Sequence, residues 1–202
     1  MTVRDETERA APARERRRID RRRFLIASAG GLAVAGVHAP AASAATDDDL
    51  AYGNFGLAAE FLASDYYARA LQGAKLDAAV RPALRRGRAV AGLHARTFSE
   101  MLAGAGDAPA ASEDFTFEWP SGTFATAART RSTGLVMLRA MLGAYQGASV
   151  GASAQYRTLF ASVAASTAQQ IGSLAPTAGA IEPFPVALDL EAASAALESF
   201  LG

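Results

Sequence analysis

The chain contains no cysteine. Disulfides, thiolate metal sites, a cysteine nucleophile and lipid attachment at a leader cysteine are therefore excluded. It has only two histidines, His38 and His94. The 18 glycines are dispersed, and none follows a predicted strand as a phosphate-cradling loop would require. No nucleophile elbow accompanies His94, so a serine–histidine–acid triad has no support. No apolar run reaches the ~20 residues that span a bilayer. Neither sign of charge is in excess, with 20 basic and 20 acidic residues.

What is present begins with a leader. Arg14, Arg16, Arg17, Arg18, Arg21, Arg22 and Arg23 form a basic region, followed by an apolar run from Phe24 to Val37 and the small-x-small segment Ala42-Ser43-Ala44. Asp20-Arg21-Arg22-Arg23-Phe24-Leu25-Ile26 resembles the twin-arginine export motif, with Asp in place of its usual Ser/Thr and Ile in place of its frequent Lys. The expected arrangement is a signal peptide over 1–44, cleaved before Ala45, and one mature domain over 45–202. An uncleaved anchor fits less well, because the run of about 14 residues is too short to span. The resemblance implies the twin-arginine translocase as export partner and a periplasmic, cell-wall or extracellular location. The leader holds nine arginines and five acids, which leaves 11 basic and 15 acidic residues and a net charge of −4. That balance argues against nucleic acid as a partner.

The mature chain reads as helices. Half of the whole sequence is hydrophobic, and alanine-rich segments with apolar spacing near 3.6 favour helix over strand. The organising stretch is Val80 to Leu102. Val80, Leu84, Gly87, Ala91, His94, Phe98 and Met101 recur at steps of four and three, which places them on the stripe that faces a bundle interior. Its arginines read as a solvated face. The first helix is expected from Asp47 to about Gln72, with Leu50, Gly53, Leu57, Glu60, Ser64, Tyr67 and Leu71 on its stripe. The second is expected over Leu76 to Ala103, with Pro82 near its start. A long link follows, Gly104 to Pro120, of the length expected for a crossover between helical hairpins. Phe124 to Ala148 and Ala152 to Leu174 read as the third and fourth helices, and Leu188 to Leu201 as a short last one. The fold class is thus all-α: a four-helix bundle with a long crossover after helix two and a short C-terminal helix.

Several segments resemble the ferritin-like family, in its exported branch of desiccation-related, twin-arginine proteins. They are Ala59-Glu60-Phe61-Leu62-Ala63-Ser64-Asp65-Tyr66-Tyr67, the run from His94 to Gly104, the Phe115 to Phe124 link, Leu142-Gly143-Ala144-Tyr145-Gln146-Gly147-Ala148, and Glu182-Pro183-Phe184-Pro185 with Leu188. The resemblance implies a di-metal centre of iron or manganese, held by one Glu from each of two helices and a Glu-x-x-His pair from each of the other two. Carried over residue by residue, the first Glu falls on Glu60 and the first His on His94. Ala91 stands where the partner Glu of that His would be, Leu138 takes the third-helix Glu, and Thr167 and Gln170 take the fourth-helix pair. Two of six ligands remain, and the carboxylates that would offset two dications are mostly gone. The implied outcome is no resident cofactor and no catalytic residue.

Three functions stay open. One is an exported structural or stress-related protein without oxidoreductase activity, in which Glu60 and His94 pair across helices one and two, with Gln170 or Thr167 nearby. A second is an oxidoreductase or storage protein with a residual metal site at Glu60 and His94. A third is an assembly module or homo-oligomer, in which Gly134, Gly143 and Gly147 let another helix approach, although small residues are also common inside bundles. Tyr67 and Tyr145 read as packing residues with satisfied hydroxyls. Asp65 lies about 140° around the helix from Glu60 and does not substitute as a ligand.

Overall fold

The computed structural model describes residues 44–73, 76, 80–175 and 185–201. The expected leader, apart from Ala44, lies outside the described residues, as does Glu182-Pro183-Phe184 of the closing segment. Among the described residues the chain forms five α-helices: α1 Asp47–Gly73, α2 Arg81–Gly104, α3 Ala127–Gly151, α4 Ala154–Leu174 and α5 Leu190–Leu197. Short 3-10 turns lie at Ser112–Asp114 and Glu198–Phe200. The strand-like pairing described is a single bridge between Phe117 and Leu201. No helix among these residues is long and apolar enough to cross a membrane.

Each start has a local cause. At α1 a reciprocal cap forms: Asp49 N–H donates to Thr46 Oγ1 at 3.2 Å, and Thr46 N–H to Asp49 Oδ2 at 2.8 Å. Two orphan backbone donors are satisfied at once. The other oxygen of Asp49 accepts from Ser153 N–H at 2.8 Å, so the first turn of α1 also anchors the start of α4. Burial pushes the fully buried Asp49 carboxyl up, but these hydrogen bonds outweigh it and hold the group below its ordinary range. The second helix starts at Arg81, five residues later than the spacing suggested. Pro82 then falls in the first turn, where a missing N–H costs nothing. Thr126 accepts from Arg129 N–H at 3.2 Å and so sets the start of α3 after Phe124.

The contacts fix the helix directions. Along α1, Gly53 faces Met101 and Leu102, Gly56 faces Phe98, Glu60 faces His94, and Tyr67 faces Gly87. The α2 numbers fall as the α1 numbers rise, so the two are antiparallel. Tyr52 meets Phe160 and Tyr67 meets Gln170, so α4 runs parallel to α1. Tyr66 reaches Thr130 and Tyr145 reaches Glu60, so α3 runs against α1, in the same sense as α2. Two consecutive parallel helices require a link that travels the length of the bundle. Asn54 Nδ2 donates to Asp107 at its beginning, at 2.9 Å, and Trp119 Nε1 donates to Asp65 near its end, at 2.7 Å. Trp119 and Phe124 both pack on Tyr66.

Helix α1 is buried on more sides than one stripe provides, with Tyr66 and Tyr67 both covered. It touches α2, α3 and α5 and lies under the crossover. The C-terminal segment closes the molecule against α3. Leu188 N–H donates to the Gly143 carbonyl at 2.9 Å. A Cβ at Gly147 would stand 1.9 Å from the Leu188 carbonyl oxygen, and one at Gly143 would stand 2.8 Å from Leu188 Cγ. At Gly134 the space is taken by the Tyr66 hydroxyl. The three glycines expected to receive another helix are therefore covered by segments of their own chain.

Candidate functional site

The buried polar cluster of the bundle is built around Glu60, which is only 1% exposed. Helix α1 carries it inward between Leu57 and Tyr67 on one stripe. His94 arrives from α2, and its Nδ1 hydrogen-bonds with Glu60 Oε1 at 3.1 Å. Tyr145 arrives from α3 and donates its hydroxyl to the same oxygen at 2.8 Å. Three helices thus meet on one carboxylate oxygen. Burial pushes the Glu60 carboxyl above its ordinary value, and the His94 and Tyr145 hydrogen bonds offset only part of that. Burial and the neighbouring carboxylate push the Tyr145 hydroxyl well up, so it stays a donor. The Tyr145 ring stacks on Phe98 with centroids 5.9 Å apart, which fixes its position.

The other carried-over positions also face inward but serve different partners. Ala91 and Leu138 are fully covered and apolar. Thr167 donates to the Val163 carbonyl of its own helix at 2.9 Å. Gln170 accepts from the Tyr67 hydroxyl through its Oε1. Burial first, then the Tyr66 and Glu60 charges, raise the Tyr67 hydroxyl far above its ordinary range. The expected pairing of Glu60 with His94 is present, whereas its further partner is Tyr145 rather than Gln170 or Thr167. Sequence reasoning gave Tyr145 a satisfied hydroxyl without naming the carboxylate, since an inward tyrosine in a helix stripe looks the same either way. Asp65 is engaged by Arg69 and Trp119, both at 2.7 Å.

A family model described as a ferritin-like domain matches residues 48–180, well over half of the chain. The chain belongs to the ferritin-like domain family. Comparison with curated proteins and with solved structures returned no match. This ferritin-like domain places its match over α1 to α4 and the crossover.

The family's metal chemistry can be tested against these donors. Among the described residues no three His, Cys, Asp or Glu side chains come together as a metal site would need. Glu60 offers one carboxylate, with Oε1 already engaged in two hydrogen bonds, and His94 offers one imidazole. A dinuclear centre takes several carboxylates to balance its charge. The residues of this ferritin-like core do not supply that set.

Proposed function

We propose that this chain is an exported ferritin-like protein whose family metal cage has been replaced by a hydrogen-bonded core, and that it acts structurally rather than in redox chemistry. The observation that carries this reading is the single oxygen, Glu60 Oε1, on which Tyr145 and His94 converge. Leu138 and Ala91 fill the interior where the family pattern calls for carboxylates. A polar network of this kind ties α1, α2 and α3 together and leaves no counter-charge for two dications. The arginine-rich leader supports export, and twin-arginine export carries proteins that fold before they cross. A stress-related role is in keeping with the branch that the sequence resembles.

A second reading has one specific observation in its favour. Both retained ligand types share one site, and the His94 side chain is 12% exposed beside a nearly covered Glu60. A single divalent ion held by these two residues would make the chain a residual metal-binding oxidoreductase or storage protein. The experiment that separates the readings is aerobic addition of iron(II) to the folded protein. The structural reading expects iron oxidation at the buffer rate. Oxidation faster than buffer, lost in His94→Ala, overturns it in favour of the residual site.

A further inference from the structure

The cluster around Glu60 does not account for a cleft of about 120 Å³ between α2 and α4. These two helices touch sparingly, and the small residues between them leave the gap unfilled. Gly87 is the clearest case. A Cβ there would stand 2.5 Å from Tyr67 Cζ and 2.9 Å from its oxygen, so only glycine lets the tyrosine hydroxyl reach the inner end of the cleft. By volume the cleft holds about four waters, or a ligand of about four to six non-hydrogen atoms.

Its lining has a defined chemistry. Arg86 supplies a cation, and it makes no ion pair with another described residue. Gln169, Gln170 and Ser166 supply amide and hydroxyl donors. Because Tyr67 donates to Gln170 Oε1, the amide's Nε2 is the part with donors still to offer. Among the described residues no carboxylate lines the cleft, and that of Glu60 is engaged by His94 and Tyr145. Val90 at one end and Leu174 at the other give it apolar surface. A cation and amide donors at its middle, with aliphatic surface at either end, match an anion with a short hydrocarbon end.

We propose that the cleft between α2 and α4 binds a short-chain monocarboxylate of acetate to butyrate size. The Arg86 guanidinium and the Gln170 amide hold the carboxylate, and the alkyl end lies along the cleft toward Val90 or Leu174. Arg–carboxylate pairing supplies direction as well as charge. A ligand this small binds in the millimolar range. The site is independent of any metal in the core, because none of its lining residues is Glu60 or His94.

The test is a titration of the full-length, isotope-labelled protein with propionate and, separately, with its neutral isostere propionamide, following the side-chain N–H signals of Gln170 by NMR. Propionate is expected to give a saturable millimolar shift, with propionamide roughly tenfold weaker. Arg86→Gln, a change at an exposed position, is expected to weaken propionate roughly tenfold while leaving the melting temperature unchanged. Equal binding of the two ligands, the same propionate affinity in Arg86→Gln, or no saturation by about 0.1 M propionate would each overturn the proposal. Metal content and iron oxidation are read separately, so failure here leaves the proposed function untouched, and the reverse also holds.

Discussion

The Tyr145 hydroxyl and the Glu60 carboxylate lie 85 positions apart in the chain and meet at 2.8 Å in its interior. The carboxylate would otherwise be a buried charge with a single partner. With Tyr145 donating to it and His94 hydrogen-bonded to the same oxygen, three helices are held in one register. An unsatisfied buried carboxylate costs far more than a made hydrogen bond returns, so the cluster is strongly asymmetric toward damage.

That asymmetry gives a coupling prediction. Tyr145→Phe is expected to destabilise the protein by about 1–3 kcal/mol, and Glu60→Ala by about 3–5 kcal/mol. The double variant is expected to lose less than the sum, with a coupling of about 1 kcal/mol or more. Urea unfolding of the four proteins measures this. Additivity within about 0.3–0.5 kcal/mol means that the two side chains do not act together.

The pH dependence of stability has two limbs of opposite sign. The folded Glu60 group is raised above its ordinary 4.5. It therefore contributes stability that is full below that value and is lost as pH rises through the raised one. Glu60→Gln keeps an acceptor for Tyr145 and His94 without the charge. Its melting temperature relative to the parent is expected to climb as pH rises above 4.5. A difference that is flat or falling contradicts the assignment. The folded Asp49 group is lowered from 3.8, and its contribution is present above that value and lost as pH falls through the lowered one. Asp49→Ala is expected to cost about 1 kcal/mol at neutral pH, with the deficit shrinking in strong acid. Thermal melts from pH 2 to pH 8 read both limbs.

The seating of the C-terminal segment depends on Gly147. Its neighbour is a backbone carbonyl, Leu188 O, which cannot rotate away as a side-chain tip can. Gly147→Ala is expected to lift the segment from α3, at a cost of about 1–3 kcal/mol. The Leu188 amide, which donates to Gly143, is expected to lose hydrogen-exchange protection ahead of the α1 and α2 amides. Unchanged protection contradicts this.

Much of the fold was legible because helix stripes and a long polar link carry strong local signals. The stripe of α2 placed His94 correctly, and the length of the crossover agrees with two parallel helices, α2 and α3. The start of α2 was less legible, since Leu76 continues the apolar spacing although it lies outside the helix and buried. Its apolar character marks burial, and only Pro82 marks the turn. The glycines were ambiguous for a related reason. Gly134, Gly143 and Gly147 announce a close approach without saying whether the approaching group belongs to the same chain. The partners of Glu60 were half legible: His94 lies on the facing stripe, whereas Tyr145 reaches in from the far hairpin, a distance that helical spacing does not encode.

Metal stoichiometry decides whether hydrogen bonds stand where the family holds its metal ions, as proposed. Elemental analysis of the full-length protein, purified folded after growth with iron and manganese, is expected to find neither metal bound. About two ions per chain, or one ion lost in Glu60→Ala and His94→Ala, would contradict it.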